Sequence, residues 1–98
     1  MKTTTLLTII INYKTRSAWE HGVKSYAAEI LNSYLENGND EFYGSPADKK
    51  ALLNGASSWN ESSWGGCYEI YNSREEWLDV QARALYQAER LIIKLAKA

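Results

Sequence analysis

Cysteine and histidine are almost missing from this sequence, which holds one of each, Cys67 and His21. A lone cysteine excludes an intramolecular disulfide, and this pair cannot supply the ligands of a structural zinc site. A thiol nucleophile would need His21 as its base, and such pairs are rare outside established motifs. We therefore expect Cys67 to be a small buried thiol, His21 to be an exposed helix residue, and the compartment to be reducing.

Long apolar runs and an excess of one charge are missing as well. The apolar run at residues 6–11 is too short for a signal peptide and offers no small-residue cleavage site. No stretch approaches the roughly 18 apolar residues that a membrane span needs. The formal net charge is −1, which indicates neither a polyanion-binding surface nor an acidic mimic of nucleic acid. We expect a cytoplasmic protein without a membrane partner, and the bulk charge does not choose another partner.

Motifs for catalysis are a third absence. The sequence has no phosphate-binding loop, no dinucleotide fingerprint and no metal-ligand spacing. Glu61 and Glu69 could be general acids, but no second carboxylate has a defined relation to either, so solvated positions are the commoner explanation. We predict that the chain is not an enzyme and that it has no catalytic residue, no metal site and no cofactor.

Helical periodicity is what the sequence does contain. Its 98 residues are too few for two separate cores, and 45% of them are hydrophobic. We predict one domain over residues 1–98, with a mainly α fold: a small helical bundle of about four helices. A short strand around residues 67–71 is the alternative left open within that fold.

The longest helical pattern runs from Ser73 to the end of the sequence, and we expect it to organise the fold. Ser73 and Glu76 form a capping box, in which each side chain accepts a backbone N–H of the other residue. Asp79 and Arg83 have the i, i+4 spacing of a helical ion pair. The predicted buried stripe of this helix is Trp77, Leu78, Ala84, Leu85, Ala88, Leu91, Ile92 and Leu95.

A second long helix is predicted over residues 18–35. Ser17 and Glu20 form its capping box, and Gly38 supplies the left-handed residue that follows it. We predict that Trp77 packs against this helix. Its own predicted buried stripe is Trp19, Val23, Tyr26, Ala27, Ile30, Tyr34 and Leu35.

Two shorter helices complete the prediction. Residues 4–15 combine β-branched residues with a helical spacing of apolar ones; we predict a helix, with a strand as the alternative. Ser45 as N-cap and Pro46 as first helical residue begin the other helix. We expect Asn54 and Gly55 to end or interrupt it.

The stretch over residues 56–71 breaks the helical periodicity. Its string SSW occurs twice, five residues apart. On a helix, a step of five residues would place the two Trp rings about 140° apart, so they could not share one narrow face. Burial in the core is the commoner explanation for such rings. The alternative is an exposed anchor beside serine-rich and glycine-rich backbone. We place the candidate partner-binding surface here, at Trp59, Glu61, Trp64, Gly65, Gly66, Tyr68 and Glu69.

A basic patch is a further candidate. Lys14 and Arg16 could join Lys49 and Lys50 to contact phosphate groups, although solvated side chains are the commoner explanation. A helix-turn-helix fits poorly, because the segment after the third helix is rich in Trp and Ser where a recognition helix would need base-reading side chains.

Several strings of the sequence are shared with one group of proteins. The strings are SWGGC at residues 63–67, NSREEWLDVQARALYQA at 72–88, RSAW at 16–19, GVK at 22–24 and LNGA at 53–56. They resemble small, uncharacterised proteins of Firmicutes phages and integrating mobile elements. In that group a polar, basic segment separates the equivalents of Tyr71 and Asn72, which are adjacent here. If that segment binds a partner, this chain has lost it; if it is a solvated loop, the core survives.

The resemblance implies a genomic setting and no chemistry. In that setting we expect a phage or mobile-element protein that inhibits a host defence nuclease system such as CRISPR-Cas (an anti-CRISPR) by protein–protein contact. The alternative from another class is a small nucleic-acid-binding regulator of a mobile element. Salt-dependent DNA binding would favour the regulator, and co-purification of a host nuclease complex would favour the inhibitor.

Overall fold

The structure, a computed structural model, describes residues 1–56 and 73–97. Four α-helices account for most of these residues, which confirms the predicted mainly α fold. The strand considered at residues 67–71 lies outside the described residues. The helices are α1 (Thr3–Ile11), α2 (Ala18–Glu36), α3 (Pro46–Ala56) and α4 (Arg74–Ala96).

Serine caps start the two long helices as predicted. The Ser17 hydroxyl accepts the backbone N–H of Glu20 at 3.1 Å, and the Ser73 hydroxyl accepts that of Glu76 at 3.1 Å. In the first cap the Glu20 carboxylate reaches one residue further back than a capping box requires, because it accepts the N–H of Arg16 at 2.9 Å. This contact fixes the chain that leads into α2.

The third helix begins as predicted and ends close to the predicted position. The Ser45 hydroxyl accepts the N–H of Asp48 at 3.1 Å, and Pro46 is the first helical residue. It ends at Ala56, one residue after the Asn54 and Gly55 that were expected to end or interrupt it, so both of these residues are helical. A single Gly in a helix costs only about 1 kcal/mol against Ala, which tertiary packing can offset.

The first helix is anchored to the loop between α2 and α3. The N–H of Thr3 donates to the carbonyl of Asp40 at 2.8 Å, and the N–H of Phe42 donates to the carbonyl of Met1 at 2.9 Å. The loop can turn back toward α1 because Gly38, after the end of α2, has a φ of +91°, a conformation that costs other residues energy. These bonds attach α1 to that loop. The helix predicted over residues 4–15 is confirmed over Thr3–Ile11, and residues 12–15 lie outside it.

Within the described residues the core forms around α2, and not around the last helix as expected. α2 packs against α1, α3 and α4, whereas α4 packs mainly against α2 and α1. One cluster of buried side chains joins all four helices. Its members are Leu6, Ile10, Val23, Tyr26, Ala27, Ile30, Leu31, Tyr34, Phe42, Leu52, Ala84, Ala88, Ile92 and Leu95.

The predicted stripes need correction at a few positions. Leu31 is buried in α2 although it was not in the predicted stripe, and Trp19 is only half-buried. In α4, Leu78 is 43% exposed, whereas the polar Gln81 is only 4% exposed. Trp77 is buried at 3% exposure, as predicted, but it lies outside the core cluster, so its packing against α2 stays a prediction. Within the described residues, no helix has the length and apolar character to cross a membrane.

Candidate functional site

The surface predicted from the irregular segment stays a prediction. Trp59, Glu61, Trp64, Gly65, Gly66, Tyr68 and Glu69 all lie outside the described residues, as does Cys67. His21 is exposed on α2, as expected. Residues 1–56 and 73–97 contain no cluster of His, Cys, Asp and Glu that could hold a metal ion.

A groove opens between the loop after α1, the first turns of α2 and the second half of α4. Its volume is about 340 Å³, which is at the small end of the range for ligand-binding clefts. We call it the basic groove, and it is lined by Tyr13, Glu20, Val23, Gln87, Arg90, Leu91 and Lys94.

The groove has an apolar floor set by the packing of the two long helices. Val23 is buried in the core cluster, and Leu91 is half-buried against that cluster. The spacing of Gln87, Arg90, Leu91 and Lys94 places them on one face of α4. The same face of α4 therefore supplies Leu91 to the apolar floor and the polar side chains to the rim.

Tyr13 forms the wall on the α1 side and is held from several directions. Its N–H donates to the carbonyl of Ile10 at 3.1 Å, and its carbonyl accepts a hydrogen bond from Lys24 Nζ at 3.0 Å. Its ring faces Lys94, whose Nζ lies 5.9 Å from the ring centroid. A cation at this distance from a ring is attracted to its π face. The wall is therefore positioned by contacts to α1, α2 and α4.

Arg90 is held at the rim of the groove by Tyr86. Its guanidinium carbon lies 5.5 Å from the ring centroid of Tyr86, and its Nη1 donates to the Tyr86 hydroxyl at 3.2 Å. Both side chains are exposed. By contrast Arg83, earlier on the same helix, is neutralised by Asp79 in the predicted ion pair at 2.7 Å. In its described contacts Arg90 packs on an aromatic ring and donates a hydrogen bond. None of these contacts pairs its positive charge with a carboxylate.

The phosphate-binding patch predicted from Lys14, Arg16, Lys49 and Lys50 is divided by the fold. The N–H of Arg16 bonds to Glu20 near the start of α2, while Asp48, beside Lys49, contacts Tyr34 near its end. Glu20 and Tyr34 are 14 positions apart, so about 21 Å of helix axis separates these sites. Arg90 and Lys94 are the cations that α4 brings to the Lys14 end.

The opposite end of α2 carries a compact polar network. The Tyr34 hydroxyl lies 2.7 Å from the carbonyl of Glu41, to which it donates, and 3.3 Å from Asp48 Oδ1. Asp48 Oδ2 also accepts the N–H of Tyr43 at 2.8 Å. The Tyr34 ring packs edge-on against Phe42 with centroids 5.6 Å apart. The network ties the loop to the start of α3, which is a structural role.

The network shifts the proton affinity of its members in opposite directions. Burial, with the nearby charge of Asp48, raises the pKa of Tyr34 to about 12. The N–H of Tyr43 lowers the pKa of the Asp48 carboxyl, and the cap of Ser45 adds to this effect. A hydrogen bond from Tyr43 to Glu41 raises the pKa of the Tyr43 phenol. The neutral phenol of Tyr34 and the charged form of Asp48 are therefore the forms that the fold favours.

Most residues of the basic groove were missed by sequence reasoning, which gave Arg90 and Lys94 no role in a binding site. Tyr86, Arg90 and Lys94 follow one another at four-residue steps, and this spacing could have indicated a shared aromatic and cationic face. Tyr13 was outside every predicted stripe, and only tertiary contacts bring it to α4.

The fold and the groove define a class: a small helical-bundle domain with an apolar cleft rimmed by arginine, lysine and tyrosine. Comparison with known proteins does not narrow this class, because no protein family, curated protein or solved structure matches the chain.

Proposed function

We propose that this chain is a small binding protein of a phage or mobile element that inhibits a host defence nuclease system, such as CRISPR-Cas, by protein–protein contact. The genomic setting comes from the resemblance of the SWGGC and NSREEWLDVQARALYQA strings. What supports a binding role is the basic groove, where cations and aromatic rings surround an apolar floor. Such a combination suits recognition, because tyrosine and arginine are enriched among the few residues that dominate the binding energy of protein interfaces.

The arrangement of the cations is the observation that carries this proposal. Arg90 and Lys94 are exposed, and within the described residues neither forms an ion pair with a carboxylate. Each is instead held near a tyrosine ring, so its position is restricted before a partner arrives. Restricting a side chain in advance lowers the entropy lost on binding.

A plasmid-interference assay tests the proposal. Cells carrying an active CRISPR-Cas system are transformed with a targeted plasmid, with and without expression of the full chain. We expect the chain to raise the transformation efficiency of the targeted plasmid and to leave a non-targeted plasmid unaffected. If a panel of host nuclease systems all cut equally well in its presence, inhibition of host defence is wrong.

A small nucleic-acid-binding regulator is the second candidate, and the charge at one end of α2 favours it. Lys14, Arg16, Lys24, Arg90 and Lys94 belong to or flank the basic groove, so the net charge of −1 conceals a local excess of cations. Titration of the chain with duplex DNA at several salt concentrations separates the candidates. Affinity that falls steeply with salt, together with no protection of the plasmid, would favour the regulator.

A further inference from the structure

We propose that the basic groove docks an acidic segment of a partner protein, with an apolar side chain of that segment on the floor and its carboxylates on Arg90 and Lys94. This inference rests on the proposed binding function and names the chemistry of the partner. The groove is the place in the described residues where uncompensated cations, an aromatic wall and apolar surface meet.

The floor requires an apolar group. Val23 is buried and Leu91 is half-buried, and both line a volume of about 340 Å³, which suits one large side chain and its neighbours. An aliphatic or aromatic residue placed there would cover Leu91 and the ring of Tyr13. Removing this surface from water contributes roughly 25 cal/mol for each Å² of apolar area.

The rim requires anionic groups on both sides of that residue. Arg90 presents a planar guanidinium that can bind a carboxylate through two parallel hydrogen bonds, and Tyr86 holds it in place. Lys94 lies on the next turn of the same helix, near Tyr13. A segment with one carboxylate before and one after its apolar residue would satisfy both cations.

The lining favours protein over nucleic acid as the occupant. Glu20 belongs to the groove, and its carboxylate would repel the phosphates of a nucleic acid. In addition, the floor of Val23 and Leu91 is apolar, so it suits an apolar side chain of a polypeptide better than a polar sugar. A polypeptide can direct its own N–H groups toward Glu20 and place its carboxylates on Arg90 and Lys94 at the rim.

The test uses labelled peptides as probes of the full chain. One peptide holds leucine and phenylalanine flanked by aspartate and glutamate; a second replaces the two apolar residues with serine, and a third replaces the acids with lysine. Binding is followed by nitrogen–proton NMR spectra of the chain. We expect the first peptide to shift resonances of Tyr13, Val23, Arg90 and Leu91, and the other two to bind about tenfold more weakly or less.

Charge-reversal variants provide the matched control. Arg90→Glu with Lys94→Glu changes the groove, whereas Arg83→Glu with Lys50→Glu makes the same net change of charge at exposed positions elsewhere. We expect the first pair to weaken the acidic peptide by about tenfold or more, and the second to leave it nearly unchanged. Arg90→Gln with Lys94→Gln repeats the test in case the reversal unfolds the domain. If both reversals weakened binding of the acidic peptide equally, the net charge of the chain would explain the effect, and the inference would be overturned.

The remaining outcomes separate this inference from the proposed function. If the parent chain protects the plasmid and Arg90→Gln with Lys94→Gln protects it equally, the groove is wrong and the inhibitor function stands. If the acidic peptide binds the groove and no nuclease system is inhibited, the partner chemistry stands and the inhibitor function is wrong. Shifts confined to surfaces away from the groove, or tighter binding of an oligonucleotide than of the acidic peptide, overturn the inference.

Discussion

Trp19 Nε1 donates a hydrogen bond of 2.7 Å to the side-chain oxygen of Gln87 and so joins the first turn of α2 to the second half of α4. The two residues are 68 positions apart, and both are half-buried. Gln87 is also part of the basic groove. The bond therefore links the orientation of one groove residue to the packing of the two longest helices.

A double-mutant cycle measures this link. We expect Trp19→Phe and Gln87→Met, which keep most of the apolar volume, to show a coupling free energy of about 0.5–1.5 kcal/mol in denaturant unfolding. The reason is that each change removes one partner of the same partly buried hydrogen bond. Strictly additive effects of the two changes would mean that the bond contributes nothing to stability.

The anchor of α1 leads to a second prediction. Thr3 is fully buried, and its hydroxyl donates to the carbonyl of Asn39 at 2.7 Å. Thr3→Val keeps the shape and removes the donor, so we expect the free energy of unfolding to fall by about 1–3 kcal/mol. Thr5→Val changes an exposed position of the same helix and should have a much smaller effect. Similar losses for the two variants would show that helix propensity, and not the anchor, controls the result.

Helix starts were the most predictable part of this fold. Ser17, Ser45 and Ser73 each accept the N–H three residues later, because capping depends on a few neighbouring residues that the sequence shows directly. The end of α3 was predicted to within one residue, since Ala56, directly after Gly55, is its last residue.

The candidate site was far less predictable than the helices. The sequence shows that Arg90 and Lys94 are cations, but it does not show that they line a groove. The groove also needs Tyr13, which the loop after α1 brings to α4. Gln81 illustrates the same limit: its polarity placed it outside the predicted stripe, yet it is buried. Periodicity predicts which face of a helix is apolar, and it does not predict which side chains from other elements meet there.

Adjacent residues of α4 supply the third prediction. Trp77 is 3% exposed and its neighbour Leu78 is 43% exposed. We expect Trp77→Ala to lower the free energy of unfolding by about 3–5 kcal/mol, because it removes a large buried ring, and Leu78→Ala to have a clearly smaller effect. Thermal melts followed by circular dichroism measure both. A Trp77→Ala variant that melts like the parent would contradict the burial of this ring.

Acid sensitivity is the fourth prediction. The pKa of Asp48 is lowered from its ordinary 3.8, mainly by the N–H of Tyr43, so the folded state binds the proton less readily than the unfolded state. Its contribution is therefore complete above that ordinary value and is lost as the pH falls through the lowered one. We expect Asp48→Asn to be less stable than the parent at neutral pH and to lose less stability on acidification. Asp79→Asn, at an exposed ion pair, is the control, and equal acid responses of all three proteins would contradict the prediction.

Alkaline unfolding is the fifth prediction, and its sign is opposite. Burial and Asp48 raise the pKa of Tyr34 from 10.0 to about 12, so the folded state holds this proton more tightly than the unfolded state. The resulting stability is complete below the unfolded value of 10.0 and is lost progressively as the pH rises toward 12. Tyr34→Phe removes the titrating hydroxyl and its bond to the carbonyl of Glu41, so it should start less stable and lose less stability over that range.

The control for this prediction is Tyr26, whose pKa is also raised by burial. Tyr26 is present in both proteins, so the difference between the slopes of their stability curves isolates Tyr34. Parallel stability curves for the parent and Tyr34→Phe in this range would show that the hydroxyl titrates alike in the folded and unfolded chains.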